Sequence, residues 1–338
     1  MHDAAFNPTP PMQVCVVGSA NMDLVVRTAR LPAPGETILG SAFRTFPGGK
    51  GANQAVAARR LGAGVSLVAC IGDDSHGQRI RQSLEGEGLD LRCLAVRAGE
   101  PSGLAMITVA EGGQNTIVVS PGANARLSEE DIDRAGEQIR GCDVLLAQLE
   151  VPLVAVRRAI HLAREAGRAV ILNAAPAKVL PPDLVREVDV LVVNRSEGAR
   201  VVGMDSSIDP ARIALRLPEV GAPTVILTLG AGGSIVVHRG RPRRLGAPHV
   251  KSLDATGAGD AFCGALAGAW GAVRRAEARS TEELRRVEAA VAFASAAGAA
   301  ATMKAGALPS LPTRERVEAL LAGGADPGPM KVAGPPAQ

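Results

Sequence analysis

The stretch Asp254-Ala255-Thr256-Gly257-Ala258-Gly259-Asp260-Ala261 runs straight into an apolar segment with helical patterning. Glycines leave the N–H groups of such a turn open to a ligand. The first turn of the following helix adds unpaired amides and the positive end of its dipole. Together they form an anion pocket suited to a phosphate, with the amides of Gly257, Ala258 and Gly259 placed to meet it. Asp260 stands at the rim. A carboxylate beside an anion site is costly unless it performs chemistry there, and a helix N-terminus is expected to lower its pKa. The other reading is that Asp260 caps a helix over 261–272. The segment by itself carries both readings equally.

Two segments nearer the N-terminus bear on that choice. Gly18-Ser19-Ala20-Asn21-Met22-Asp23 follows the apolar run 14–17. Asn21 and Asp23 therefore fall just past the C-terminal end of a strand, where open parallel sheets bind ligands. An amide and a carboxylate can hold vicinal hydroxyls, although alone the pair fits a turn better. Gly48-Gly49-Lys50-Gly51-Ala52-Asn53-Gln54-Ala55 opens a helix. Its glycines allow close approach of a ligand to the backbone, and a lysine at a helix N-terminus opposes the dipole.

Around these segments apolar, strand-like runs at 14–17, 66–71, 144–149, 169–173, 188–193, 224–229 and 234–238 alternate with helical patterns. The helical patterns lie at 51–61, 75–87, 128–140, 152–166, 196–202 and 210–217, and the last third is helical at 257–273, 281–303 and 313–321. This alternation predicts an α/β fold over 13–322, a doubly wound, mostly parallel central sheet flanked by helices. Residues 1–12 and 323–338, rich in Pro, Gly and Ala, are expected to be flexible. Insertions at about 24–47 and 103–120 break the rhythm, each with two β-like stretches. They are expected to form a small β-sheet lid over a cleft, or else two edge hairpins.

Composition narrows the partners. Of 338 residues, 46% are hydrophobic and 21% charged, enough for a large core. The 37 basic and 34 acidic residues are interspersed, so neither nucleic acid nor a membrane is an expected partner. No apolar run is long enough to span a bilayer, and a cytoplasmic protein is expected. The five cysteines stand singly without a C-x-x-C pair and are expected to be reduced and buried. The histidines show no metal spacing and are read as surface or turn residues.

The segments at 18–23 and 48–55 resemble signatures of the ribokinase branch of the PfkB-type carbohydrate kinases, and the stretch around Asp260 resembles its C-terminal signature. The family usually has Thr where this chain has Ala255, and the likeness spans roughly 14–320. It implies a ribokinase-like fold, ATP as co-substrate, and transfer of a phosphoryl group to the 5-hydroxyl of D-ribose. Asp260 would be the catalytic base, with Gly257, Ala258 and Gly259 as anion hole. Asn21, Met22, Asp23, Gly49, Lys50, Gly51, Ala52, Asn53, Glu150 and Asp260 would bind the sugar. Asn194 and Glu197 look like a motif that orders Mg2+ and phosphate, largely through water. The nucleotide would lie along Thr228-Leu229-Gly230-Ala231-Gly232-Gly233, with Gly259, Asp260 and Ser295. K+ would sit near Asp254, Thr256, Ala301, Lys304, Gly306 and Ser310, although Leu308 stands where the family often has Gln. The lid would pack against the lid of a second subunit, giving a homodimer.

Plainer readings accompany two of these. Asn194-Arg195-Ser196-Glu197 alone is a complete helix start, with Ser196 as cap. The glycines after Thr228 alone make a hairpin turn. They fail as a dinucleotide fingerprint because a strand-like run follows, and no G-x-x-x-x-G-K-[ST] P-loop is present. A nucleoside kinase of the same superfamily would stack its base on aromatic rings, and this chain has no Tyr, one Trp and five Phe. A 2-deoxyribose kinase is not separated from a ribose kinase by these residues. A non-catalytic regulator would be expected to lose Asp260 or the Asn194–Glu197 pair.

Overall fold

A computed structural model describes residues 11–112, 114–274 and 280–323, so all but residues 11, 12 and 323 of the expected flexible termini lie outside it. In chain order the elements are β1 (Gln13–Val17), β2 (Asn21–Thr28), β3 (Ala42–Gly48), α1 (Lys50–Arg60), β4 (Gly64–Gly72), α2 (Ser75–Gly86), β5 (Leu94–Arg97), β6 (Gly103–Ala110) and β7 (Asn115–Ser120). They continue with α3 (Glu129–Arg134), α4 (Gly136–Gly141), β8 (Val144–Ala147), α5 (Leu153–Glu165), β9 (Ala169–Asn173), α6 (Pro182–Arg186), β10 (Val190–Asn194), α7 (Arg195–Val201) and α8 (Pro210–Arg216). The chain ends with β11 (Thr224–Thr228), β12 (Ser234–His238), β13 (Arg241–Leu245), α9 (Ala258–Arg274), α10 (Thr281–Ala301) and α11 (Arg314–Ala322).

Nine strands form one sheet in the order β13-β12-β11-β10-β9-β8-β1-β4-β5. It is parallel from β11 to β5, and β12 and β13 close one edge antiparallel. Successive side chains of a strand face opposite ways, so each strand feeds two cores. Val14 and Val16 of β1 pack in the core that includes residues of α1, α9 and α10. Cys15 and Val17 pack in the opposite core, built with residues of α3, α4 and α5. Both faces are covered, which is why the strands read as unbroken apolar runs.

The two insertions form a separate four-stranded sheet, β3-β2-β6-β7, with β2 and β6 parallel and the outer pairs antiparallel. The expected helix over 128–140 is divided at Ala135, whose ψ of 7° interrupts the helical backbone just before Gly136. Ser128 still caps its first half, with Asp131 completing a reciprocal box. All five cysteines are free, and Cys93 alone of them is not fully buried. His238 corrects the reading of the histidines as surface residues. It is 6% exposed in β12, and its Nδ1 lies 2.9 Å from the Thr224 hydroxyl.

Helices α1 and α9 touch through alanine and glycine, which lets their backbones approach closely. A Cβ added at Gly264 would stand 2.5 Å from the Gln54 carbonyl oxygen and 2.7 Å from Ala57 Cβ. Gly264→Ala sets a helix-propensity gain of about 1 kcal/mol against an overpacking penalty of roughly 1–3 kcal/mol. The obstacle is mainly backbone and cannot step aside, so the penalty wins. Thermal unfolding should show Tm lowered by roughly 2–6 °C. An unchanged Tm would mean that the two helices are not in tight contact.

Candidate functional site

The strand order turns at β1. Strands β4 and β5 lie on one side of it, and β8 to β11 on the other. In open α/β sheets a crevice at the carboxyl ends beside such a switch point holds ligands. Three segments converge there: the end of β1 leading into β2, the residues after β8, and the start of α1. The turn before α9 faces them.

Asp260, 9% exposed, is held from α1. Asn53 Nδ2 donates to its Oδ2 at 2.9 Å and Gln54 Nε2 to its Oδ1 at 3.0 Å. Gly49 is the residue before α1 and has φ +91°, a backbone state that favours glycine; a Cβ there would also stand 2.8 Å from the Asn21 amide nitrogen. Gly48 carries the Asp23 carboxylate against its Cα, where a Cβ would come within 2.3 Å of Oδ2. Glu150 accepts from the Ser19 hydroxyl at 2.6 Å and from the Lys50 amide at 3.3 Å. Asn124 orients Asn21 by donating to its Oδ1 at 2.7 Å.

A cavity of about 580 Å3 is lined by Asn21, Asp23, Gly49, Lys50, Asn53, Glu150, Gly257 and Asp260, with the lid residues Ala105, Ile107 and Val119 above them. A second cavity, about 280 Å3, is lined by Thr228, Gly230, Ala231, Gly233, Ala258, Gly259, Phe262 and Ser295. The turn from Gly257 to Asp260 is the wall between the two. Leu229 lines a further depression beside Asn194 and Arg244. Asn194 itself caps α7: its Oδ1 accepts from the Glu197 amide at 2.9 Å, and Glu197 Oε2 accepts from the Asn194 amide at 2.8 Å. Ser196, read from the sequence as the cap, donates to the Asn194 side chain instead.

Some expected residues stay apart from the cavities. Met22 and Ala52 are fully buried among core residues, and Gly51 is packed on the Gly18–Ser19 backbone, so none of the three lines a cavity. Met22 fails for a simple reason: it sits in a strand, where alternate residues face opposite ways. Gly232 is the middle of the turn and lines neither cavity. Asp254 and Thr256 line the larger cavity at its edge, where Asp254 accepts from the Thr256 amide at 2.9 Å, the Thr256 hydroxyl at 2.7 Å and the Gly306 amide at 2.9 Å. Ser310 Oγ lies 3.5 Å from the Thr256 carbonyl. Ala301 is buried at the end of α10, and the Lys304 side chain is exposed. Gln54, Gln148, Asn124 and Ser19 were given no role by the sequence reading. Gln54 and Ser19 stood inside quoted motifs, and the sequence assigned no chemistry to Gln148 or Asn124.

Carboxylates crowd this site. Burial first, then Glu150 and Asp260, push Asp23 up to about 7. Burial also raises Asp260, and Lys50, Gln54 and Asn53 oppose it. The dipole of α9 was expected to lower Asp260; loss of water outweighs it. Burial raises Glu197 as well. Burial pulls Lys50 down, but Asp260, Glu150 and Glu197 outweigh it and keep the ammonium above its ordinary value. The site thus holds one firmly charged lysine among acids that give up their protons reluctantly. Such perturbed groups lining a cleft mark functional sites.

Residues 12–314 match the pfkB family carbohydrate kinase family. A ribokinase of Haemophilus influenzae is 37% identical over 302 residues, 89% of this chain and 95% of that protein. A deoxyribokinase of Salmonella typhi is also 37% identical, over 76% of this chain and 85% of that one. Among solved structures, the ribokinase of Giardia lamblia superposes with a TM-score of 0.85 at 26% identity, over 93% of this chain and 99% of that one. The Arabidopsis thaliana ribokinase, solved with ribose and ATP, gives 0.79 at 32% identity, over 93% and 99%. The chain belongs to the pfkB family of carbohydrate kinases.

Asp23 carries a stability consequence. Its pKa is about 7 in the folded protein against 3.8 when freely solvated. The folded state therefore binds a proton more tightly, and the stability this supplies is lost as pH rises through 7. Asn resembles the protonated form at every pH. Asp23→Asn should raise Tm above wild type at pH 8, with the gap closing towards pH 5. A gap of equal size at both pH values would mean that Asp23 does not titrate in this window.

Proposed function

We propose that this carbohydrate kinase of the pfkB family is a ribokinase, transferring the γ-phosphoryl group of ATP to the 5-hydroxyl of D-ribose to give ribose 5-phosphate and ADP. The observation that carries this reading is the single wall from Gly257 to Asp260 between a polar cavity and a mostly apolar one. A sugar on one side and a nucleotide on the other would meet at that turn.

In the polar cavity, Asp23, Asn21, Lys50, Asn53 and Glu150 grip the sugar hydroxyls. Asn53 Oδ1, buried with no hydrogen-bond partner among the described residues, accepts one of them. In the second cavity the loop from Thr228 to Gly233, with Ser295, holds the nucleotide. Asp260 takes the proton of the 5-hydroxyl as its oxygen attacks the γ-phosphorus, and ADP leaves. Its raised pKa makes it a better base than a free carboxylate. The amides of Gly257, Ala258 and Gly259 would meet the charge on the transferred group, that of Ala258 by turning from the Ala255 carbonyl to which it donates at 3.2 Å. Positioning and charge neutralisation dominate in phosphoryl transfer, so this short list suffices. Closure of the lid would exclude water and limit ATP hydrolysis.

Two cations complete the reading. Glu197 Oε1 makes no hydrogen bond among the described residues, and with Asn194 it fits the ordering of Mg2+ through water. Magnesium would neutralise the phosphate oxygens. Asp254, the Thr256 carbonyl and Ser310 supply hard oxygen donors from two segments, which suits K+ behind the anion pocket. There it would fix the turn without touching substrate. Apolar residues exposed on the lid, among them Phe43, Met106 and Val118, support a homodimer through that sheet.

A panel of ribose, 2-deoxyribose and arabinose with ATP, followed by ADP release, tests the substrate. Preference for 2-deoxyribose would move the assignment to a deoxyribokinase, the activity of a relative as similar as the ribokinases. Asp260→Asn keeps the side chain's size and removes the base, and should lower kcat by about 10²–10⁴-fold. Near wild-type turnover of that variant would remove Asp260 from the mechanism. Titrating K+ into ion-stripped enzyme, at saturating Mg2+ and constant ionic strength with a bulky organic cation, should raise activity. Flat kcat and KM across the titration would exclude the cation.

A further inference from the structure

Gln54 and Gln148 are both fully buried, and together they form a one-way chain of amides ending at Asp260. Gln148 Nε2 donates to Gln54 Oε1 at 2.7 Å. Gln54 Nε2 donates to Asp260 Oδ1 at 3.0 Å and to Asn173 Oδ1 at 3.1 Å. Asn173 Nδ2 donates on to the Val192 carbonyl at 3.2 Å. The chain ties the residue after β8, helix α1, the start of α9, and strands β9 and β10 at their carboxyl ends.

A primary amide can rotate by half a turn, exchanging its donor for its acceptor. Flipped, Gln54 would set its carbonyl against a carboxylate and a second carbonyl, and its NH2 against the NH2 of Gln148. The donor from Gln148 adds a third repulsion to the two that already disfavour that state. Gln148 supplies it at a loss, because its own Oε1 is buried without a hydrogen-bond partner among the described residues. That oxygen is wedged against Gly18, where an added Cβ would come within 1.9 Å of it. A core selected only for stability would hold an apolar residue at 148, since an unpaired buried carbonyl is destabilising.

We infer that Gln54 is a positioning residue that locks the orientation of the Asp260 carboxylate for proton abstraction, and that Gln148 fixes the direction of the Gln54 amide. This rests on Asp260 being the base. Donation to a carboxylate favours its charged form, and polarisation along a run of amides strengthens the final bond. The other charged or titratable groups acting on Asp260 are Lys50 on α1, Glu150 after β8, Asp23 on β2, Glu197 on α7 and Cys263 on α9. None of them determines which way the Gln54 amide points.

The test compares wild type, Gln148→Met, Gln54→Met and Asp260→Asn in steady-state kinetics with ribose and ATP from pH 5 to 9. Gln148→Met keeps length and burial and removes the donor. It should lower kcat about tenfold to a hundredfold and leave both KM values within about twofold, as expected of a misplaced rather than a missing group. Its acidic limb of kcat should move up by roughly one pH unit, since the carboxylate loses hydrogen-bond support. Gln54→Met should do the same at least as strongly, and it serves if Gln148→Met does not fold. If Asp260→Asn is inactive while both methionine variants keep wild-type kcat and pH limb, this inference fails alone. A loss of kcat that tracks a lowered Tm with an unmoved pH limb would also overturn it. Turnover retained by Asp260→Asn would overturn the base and this inference together.

Discussion

The contact on which the site depends is between the start of α1 and the start of α9. Two side chains of α1, Asn53 and Gln54, donate to the two oxygens of Asp260 in α9, more than 200 residues along the chain. Those bonds need the helices close together, and small residues permit it. Ala52, Ala55, Ala57 and Ala58 of α1 and Ala261, Ala265 and Ala267 of α9 share one buried core, with Gly264 against the backbone of Gln54. Larger side chains at this contact would separate Asp260 from the two amides that bond it. The low aromatic content of the chain, 2%, agrees with a core built on close backbone approach rather than on bulky rings.

That closeness has an electrostatic consequence. Asp23, Glu150, Glu197 and Asp260 gather around Lys50, and Asp23, Glu197 and Asp260 have raised pKa values with burial as the first cause. A cluster of this kind is destabilising to the folded protein, because desolvated carboxylates lack full compensation. Under the proposed function, a polyhydroxylated substrate would relieve it by donating hydrogen bonds to the acids and taking one from the ammonium. Binding energy and folding energy are therefore linked at the same residues. The side-chain carbonyls of Asn53 and Gln148, buried without a partner among the described residues, add to the same local cost.

The lid repeats the principle at a larger scale. Strand β1 delivers the chain straight into β2, so Asn21 and Asp23 sit where the main sheet ends and the lid begins. One face of the lid, with Ala105, Ile107 and Val119, roofs the cavity. A movement of the lid would carry Asp23 with it, which couples the floor of the cavity to its roof in one strand. The second cavity is shaped by the tight β11–β12 connection, by residues 247–250 and by α9 and α10.

Much of this was legible in the order of residues. Apolar runs alternating with helical periods predict the doubly wound sheet, because burial on both faces demands continuous hydrophobicity. Ser128 before three acids marks a helix start through local hydrogen bonds alone. The glycines at 48, 49 and 257 mark close approaches and turns, since backbone sterics act within a few residues. What escaped the sequence depends on distance through space. Met22 turned into the core because its strand's alternation was set by pairing with β3 and β6. Asp260 became a reluctant acid because water is excluded around it, an effect of the whole fold that overrode the helix dipole beside it. Gln148 carries no local signal, and only the packing of α1 beneath the end of β8 brings its amide to Gln54. Local chemistry chose the elements, and their assembly decided which polar atoms lost water and which partners they met.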